Sequence, residues 1–310
     1  MVKIDLITGF LGSGKTTFIK KYAKYLIDKG CNIGILENDF GAVNVDMMLL
    51  QDLMGDQCEL EMVAGGCDYD CHKRRFKTKL ISMGMCGYDR VLVEPSGIYD
   101  VDEFFDVLQE EPLDRWYEIG NVFSIVDAKL DDNLSEQSEY LLASQVARAG
   151  SILLSRSKEA TEEEKKNTIQ KINEILEKFQ CNRKIEQEVY EFDWNSLQQE
   201  EFEQLLHSGY TNHHVAKLWF DQNNVFQSHF IMNVTMTEER LRETVKQVMD
   251  DYECGNVFRI KGFMKVDETH WIEMNATKNK IQIEPIANGQ EVLIVIGENL
   301  NEDKIDSYWK

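Results

Sequence analysis

The chain has 310 residues, with 34 basic and 55 acidic side chains and a formal net charge of −21 at pH 7. This length accommodates two domains, and a hydrophobic fraction of 43% is ordinary for a globular protein. The excess of acid argues against nucleic acid as a main partner, because neutralising phosphates needs a basic face, and it disfavours anionic membranes.

The sequence also indicates where the protein works. It begins with an apolar, strand-like run without a basic segment or cleavage site, so we expect no signal peptide, and no apolar run reaches the length of a membrane span. The seven cysteines are odd in number and scattered, which favours reduced thiols over a disulfide framework. These features predict a cytoplasmic protein.

Strand-like and helix-like stretches alternate over residues 1–206. Helix 15–29 follows the first strand, and helix 161–179 begins with Thr161 and Glu164 at capping-box spacing. Strands that are apolar throughout belong in a mostly parallel sheet covered on both faces, so we predict a doubly wound α/β domain. The predicted strands are 3–8, 32–38, 89–95, 121–128 and 151–155.

The rest of the chain has a different pattern. Residues 207–224 interrupt the alternation and are predicted to be a linker. The remaining segment, 225–310, is predicted to be a small α+β domain with an antiparallel sheet. Its predicted elements are a strand at 225–235, a helix at 237–251, and strands at 256–266, 270–277 and 291–297.

The most specific motif is GFLGSGKTT at 9–17, between a strand and a helix, which is a P-loop pattern. Its glycines let backbone N–H groups face inward, and the helix N-terminus adds a positive dipole for phosphate. We expect Lys15 to reach the β- and γ-phosphates and Thr16 to ligate Mg²⁺. The predicted nucleotide-binding residues of the loop are Gly9, Gly12, Ser13, Gly14, Lys15, Thr16 and Thr17.

Five further motifs follow in order: ENDFGAVNVD (37–46), GGC (65–67), LVEPSG (92–97), IVDA (125–128) and RIKGF (259–263). With the P-loop, they make essentially the whole chain resemble the CobW-like GTPases, a branch of the P-loop GTPases that includes metallochaperones. The resemblance implies nucleotide-dependent delivery of a metal ion, or of cobalt-corrin chemistry, to a client protein. The expected cofactors are Mg²⁺ with GTP or another purine triphosphate, and Zn²⁺ or another divalent transition metal.

Carboxylates at two strand ends are candidate catalytic residues beside Lys15. Glu37 and Asp39 lie where a switch segment is expected, and they can hold Mg²⁺ or orient the attacking water, or simply be solvated loop acids. Glu94 is expected to serve the Mg²⁺ shell or position water. The Gly97 amide is expected to donate to the γ-phosphate and so to sense hydrolysis.

Two motifs depart from the family pattern, and the first concerns the base. The resemblance predicts N-K-x-D after the strand at 151–155, but the chain has Ser155-Arg156-Ser157-Lys158. Lys158 has only donors and cannot accept from guanine N1–H and N2–H₂. Arg156 keeps a long stem that can cover a base face. We therefore predict a nucleotide site with weak or altered base selectivity.

The second departure concerns the thiols. Family members usually carry C-x-C-C after the glycines, whereas this chain has GGCDYDCH. Cys67, Cys71 and His72, together with carboxylates, can form a four-ligand site with mixed S, N and O ligands that is less selective for zinc, or the cysteines can be ordinary free thiols.

Three functions remain open from the sequence. The first is an NTPase switch that loads a metal or activates a metal- or corrinoid-dependent client. The second is a module that binds nucleotide or metal but hydrolyses almost nothing. The third is a P-loop small-molecule kinase, against which the switch-like EPSG segment argues.

Overall fold

The structure is a computed structural model, and it describes residues 1–39, 45–64, 69–194, 196–220, 225–267, 270–278, 280–287 and 289–309. The chain divides into two compact units, unit 1 at Met1–Trp219 and unit 2 at Phe220–Lys310. Among the helices in these ranges, none is long and apolar enough to cross a bilayer.

Unit 1 contains a seven-stranded parallel sheet with the strand order β3-β2-β4-β1-β5-β6-β7. The central strands are buried, and most of their side chains are apolar. The predicted doubly wound fold is thereby confirmed. The strands are β1 (Val2–Thr8), β2 (Ile33–Asp39), β3 (Cys58–Ala64), β4 (Arg90–Pro95), β5 (Tyr117–Asp127), β6 (Ser151–Ser155) and β7 (Val189–Tyr190).

Eight α-helices flank this sheet in the described part of unit 1. The predicted capping box is confirmed, since Thr161 accepts from the Glu164 backbone N–H and the Glu164 side chain accepts in return. The helices are α1 (Lys15–Asp28), α2 (Val45–Leu50), α3 (Tyr69–Gly84), α4 (Val101–Leu108), α5 (Leu113–Trp116), α6 (Glu136–Arg148), α7 (Glu162–Lys178) and α8 (Gln199–Leu205).

The first part of the predicted linker is hydrogen-bonded to unit 1. Gly209 N donates to Asn121 Oδ1 at 2.9 Å, and Lys217 Nζ donates to Asp100 Oδ2 at 2.5 Å. Residues 207–219 of the predicted linker therefore lie within unit 1, while 221–224 fall outside the described residues.

Unit 2 is a five-stranded antiparallel sheet with the order β11-β10-β9-β12-β8, which confirms the predicted α+β class. Its core includes Leu241, Val245 and Val248, which lie on one face of the long helix. The elements are β8 (Phe226–Met232), α9 (Glu238–Asp250), β9 (Asn256–Lys265), β10 (Trp271–Thr277), β11 (Lys280–Ile286), β12 (Val292–Glu298) and α10 (Glu302–Ser307).

Candidate functional site

The P-loop segment joins the end of β1 to the start of α1. Gly9, Gly12 and Gly14 have φ values of +151°, +74° and +102°, in the region that favours glycine. A Cβ on Gly9 would lie 2.3 Å from the carbonyl oxygen of Ile125, so only glycine fits there. The segment thus leads into a helix N-terminus, whose backbone N–H groups can donate to an anion.

Lys15 and Thr16 are the first two residues of α1, and both are buried. Lys15 Nζ donates to Gly9 O at 3.0 Å, so the ammonium lies over the loop. Thr16 Oγ1 donates to Glu94 Oε1 at 2.8 Å, which joins α1 to the end of β4. The Lys15 ammonium, the Thr16 hydroxyl and the Glu94 carboxylate are therefore brought together where the motif predicts phosphate and Mg²⁺.

The two other side chains predicted from the loop differ in environment. Ser13 is buried, and its Oγ has no hydrogen-bond partner within the described part of the chain. A buried hydroxyl without a partner is costly, and it can be satisfied by a bound oxyanion. Thr17 is exposed on the first turn of α1, and its contact with a nucleotide stays a prediction.

Two predicted carboxylates face each other across neighbouring strands. Glu37 of β2 and Glu94 of β4 are register partners in the parallel sheet, and they are only 3% and 4% exposed. Asp39 ends β2, but its side chain is outside the described set. Glu94 therefore contacts Thr16, and Glu37 lies in register beside Glu94, at the edge where strands of an open α/β sheet end.

Asn38 is a residue that the sequence analysis did not identify. It lies between the two predicted acids of β2 and is fully buried. Its side-chain nitrogen and oxygen have no hydrogen-bond partner in the ranges that the structure covers. A buried amide with no partner needs an explanation, such as a ligand or water. The signal available beforehand was its place at the end of an apolar strand.

The loop after β4 contacts the P-loop directly. A Cβ on Gly97 would lie 2.6 Å from Leu11 N, so the two backbones approach as closely as glycine allows. Gly97 O accepts from the buried Gln145 Nε2 at 3.1 Å, which ties this loop to α6. A displacement of Gly97 would therefore be transmitted to the P-loop on one side and to α6 on the other.

The loop after β6 also contacts the P-loop. Arg156 has a φ of +55°, which is uncommon for a residue with a side chain. Its Nη1 donates to Gly12 O at 3.3 Å, and its Nη2 forms an ion pair with Asp127. The guanidinium of Arg156, predicted to cover a base, is therefore held between Gly12 of the P-loop and Asp127 at the end of β5.

A second loop, which follows β7 and is described at 191–194 and 196–197, lies beside the first and was not identified from the sequence. Asp193 forms an ion pair with Lys158. The ring of Trp194 packs on Phe18 with centroids 5.7 Å apart, and it lies 3.5 Å from the position of a Cβ on Gly14. The only signal beforehand was an acid and an aromatic residue following an apolar strand.

The predicted thiol site is only partly described. Cys67 lies outside the described residues, whereas Cys71 is half-buried and His72 is buried, both in α3. Consecutive helix positions point in different directions, so Cys71 and His72 do not face one point on the helix surface. No group of three or more possible metal ligands occurs among the described residues. Metal binding by Cys67, Cys71 and His72 therefore stays a prediction.

Comparison with known families matches both units. Residues 3–186 match the family described as CobW/HypB/UreG, nucleotide-binding domain. Residues 230–310 match the cobalamin synthesis protein cobW C-terminal domain.

Three curated relatives resemble part of the chain. The zinc chaperones YjiA and YeiR of Escherichia coli are each 30% identical, over 176 and 164 residues, and each match covers 53% of this chain. The zinc-regulated GTPase metalloprotein activator 1 of Schizosaccharomyces pombe is 22% identical over 196 residues, 61% of this chain. The matches cover 52%, 49% and 46% of these relatives, so the chain spans about half of their length.

Proposed function

We propose a function for this chain from its family, since the chain belongs to the CobW/HypB/UreG family. It is a molecular switch of the GTPase type, and it hydrolyses a purine triphosphate. In this proposal the nucleotide state controls delivery of a divalent transition metal such as Zn²⁺ to a client metalloprotein, or activation of that client. The proposed loop ligands are the backbone of 9–17 and the side chains of Ser13, Lys15 and Thr16.

The observation that carries the proposal is the hydrogen bond from Thr16 to Glu94, 2.8 Å long and buried beside Lys15. Hard oxygen donors suit Mg²⁺, so Thr16 and Glu94 would hold it directly or through water. When bound, Mg²⁺ would neutralise charge on the β- and γ-phosphates. Lys15 adds a fixed positive charge, and Glu37 or Asp39 would orient the attacking water.

A switch also needs a segment that responds to the γ-phosphate. Gly97 suits this role because its backbone lies against Leu11 of the P-loop and is bonded to α6 through Gln145. A hydrogen bond from the Gly97 amide to the γ-phosphate would be lost on hydrolysis. The loop and α6 would then be freed to shift together.

The metal part of the proposal is supported by the relatives, two of which are zinc chaperones and one a zinc-regulated metalloprotein activator. In this chain the proposed ligands of the cargo metal are Cys67, Cys71 and His72. They form a harder and more mixed set than three thiolates, so metals other than zinc are also expected to bind.

Phosphate release from GTP and ATP, with and without Mg²⁺, tests the hydrolytic part. We expect Mg²⁺-dependent turnover that Glu94→Gln lowers by about 10²–10³-fold, since a charged group near the reacting phosphate is lost. Glu118→Gln is the matched control, because Glu118 is exposed at the start of β5. Nucleotide binding without turnover would favour the binding module, and transfer of the phosphate to a small molecule would favour a kinase.

Release of bound Zn²⁺ to a chelator tests the cargo part without requiring the client. The protein is loaded with Zn²⁺, and the release rate is compared between the GTP-bound and GDP-bound forms. A rate that depends on the nucleotide supports the proposal. Equal rates, or no Zn²⁺ bound at all, would contradict metal delivery while leaving the hydrolytic part intact.

A further inference from the structure

The loop after β6 lacks an acceptor for guanine. In Ser155-Arg156-Ser157-Lys158 the final position is a lysine, whose ammonium group only donates. Guanine presents two donor groups, N1–H and N2–H₂, beside the O6 acceptor. A protein that selects guanine must therefore supply a carboxylate or carbonyl from another part of the chain.

The loop after β7 brings a carboxylate to this place. Two side chains flank the glycine before α1, since a Cβ on Gly14 would lie 3.9 Å from Ser155 Cβ and 3.5 Å from the ring of Trp194. The loops after β6 and β7 therefore meet beside the P-loop. Asp193, next to Trp194, pairs with Lys158 across the gap between them.

Asp193 is both held in place and accessible. Its Oδ2 accepts from Ser196 Oγ at 2.7 Å as well as from Lys158. The Asp193 side chain is 25% exposed, while that of Lys158 is 71% exposed. An exposed ion pair contributes little to stability, so Lys158 can reorient without a large cost. A carboxylate has about four lone-pair sites on its two oxygens, so it can accept more than two hydrogen bonds.

We propose that Asp193 replaces the missing N-K-x-D aspartate and determines base selectivity, an inference that rests on the proposed nucleotide function. The Asp193 carboxylate accepts from guanine N1–H and N2–H₂, and Lys158 donates to O6. Trp194 and the Arg156 stem cover the faces of the base. Adenine has neither N1–H nor a 2-amino group, so it loses both bonds to Asp193, and the protein selects guanine.

Dissociation constants of the full chain for GDP, IDP, XDP and ADP test this assignment by calorimetry. Wild type is expected to bind GDP about 10-fold more tightly than IDP, which lacks the 2-amino group, and more tightly still than ADP. Asp193→Asn keeps the side-chain shape but adds a donor that suits the O2 acceptor of xanthine. It is expected to weaken GDP binding about 10- to 100-fold and to make XDP the preferred ligand.

Two further variants separate recognition from structure. Asp132→Asn is the matched control, because the Asp132 side chain is 95% exposed, and it should leave all four constants unchanged. Lys158→Met removes the ion pair and the O6 donor, and it should weaken GDP binding about 3- to 10-fold without a change toward XDP. If Asp193→Asn and Lys158→Met instead weaken all four nucleotides equally, Asp193 only holds the loop and the assignment is wrong.

The wild-type measurements keep this inference separate from the proposed function. Wild type that binds GDP and ADP equally well would overturn the role of Asp193 and leave nucleotide binding standing. Wild type that binds none of the four would overturn the proposed function and this assignment with it. Thermal unfolding of each variant checks that changed affinity does not reflect loss of the fold, and Lys158→Met still tests the loop if Asp193→Asn is unstable.

Discussion

The phosphate end and the base end of the proposed nucleotide site are built in different ways. The phosphate end is built mainly from one continuous segment, 9–17, whose glycines and buried Lys15 and Thr16 follow from a single motif. The base end is assembled from two loops, with Lys158 and Asp193 separated by a helix and a strand. A subsite formed by the backbone of one segment can be predicted from a sequence motif. A subsite formed by side chains of two distant loops cannot be predicted in this way.

A change at Gly97 should affect the phosphate end alone and have the largest effect. In Gly97→Ala the new Cβ would meet Leu11 N at 2.6 Å, so one of the two backbones must shift. Because a displacement of about 1 Å costs roughly 10²-fold in rate, we expect about 100-fold slower phosphate release. The order of base preference should be unchanged.

The control for that variant is Gly55→Ala, where a Cβ meets nothing within 4 Å. It should keep wild-type turnover. If Gly97→Ala hydrolyses GTP at the wild-type rate, the loop after β4 does not position the phosphate end, and the switch role of Gly97 would have to be abandoned.

Removal of the Trp194 ring should affect mainly the base end and have an intermediate effect. Stacking of a base on an aromatic ring is worth about 1–3 kcal/mol and tolerates every base, so Trp194→Ala should weaken GDP and ADP binding by a similar factor of about 10. Turnover at saturating nucleotide should be preserved. Because Trp194 also packs on Phe18, the midpoint of thermal unfolding is measured in parallel.

That prediction fails if Trp194→Ala changes the GDP-to-ADP ratio strongly while leaving the stability of the fold untouched. The ring would then take part in selecting the base, and Asp193 would not be the main determinant of selectivity.

The smallest expected effect is a difference in the rates at which individual cysteines are labelled by a thiol reagent. Burial raises the pKa of Cys58 to about 11, with a further contribution from the Glu59 charge, and burial likewise raises the pKa of Cys254 to about 11. The thiolate is the reactive form, so at pH 8 both should react slowly and accelerate as the pH approaches 11. Exposed Cys86 should react quickly.

Labelling in the presence of Zn²⁺ then tests the altered thiol motif. Protection of Cys71 by Zn²⁺, with Cys86 unaffected, is expected if Cys71 is a metal ligand. Equal labelling of Cys71 with and without Zn²⁺ would mean that it is an ordinary free thiol.

Much of the fold followed from apolar periodicity. The strands β1, β2, β4, β5 and β6 have continuous apolar runs because they lie inside a parallel sheet, and their positions were predicted within a few residues. Three edge strands were not predicted. The first, β3, alternates apolar and acidic residues, and the second, β7, has only two residues. The third, β11, contains Pro285, which is tolerated at an edge.

Those parts of the candidate site that come from one short segment of the sequence could be predicted. Gly9, Lys15 and Thr16 follow from one motif, but the pairing of Glu37 with Glu94 depends on the register between two strands. Asn38 was not identified either, because nothing in a single sequence shows that a strand-end amide is buried without a hydrogen-bond partner in the described structure. Long-range pairs need tertiary structure, which periodicity does not provide.

Titration of the protein with GTP and Mg²⁺ tests the central claim, that the P-loop segment binds a purine triphosphate. We expect saturation at one nucleotide per chain, and at least about 100-fold weaker binding in Lys15→Ala, because charge-assisted bonds to phosphate are lost. Lys24→Ala, on the exposed face of the same helix, should bind like wild type. Absence of binding to wild type, or equal binding by wild type and Lys15→Ala, would contradict the account.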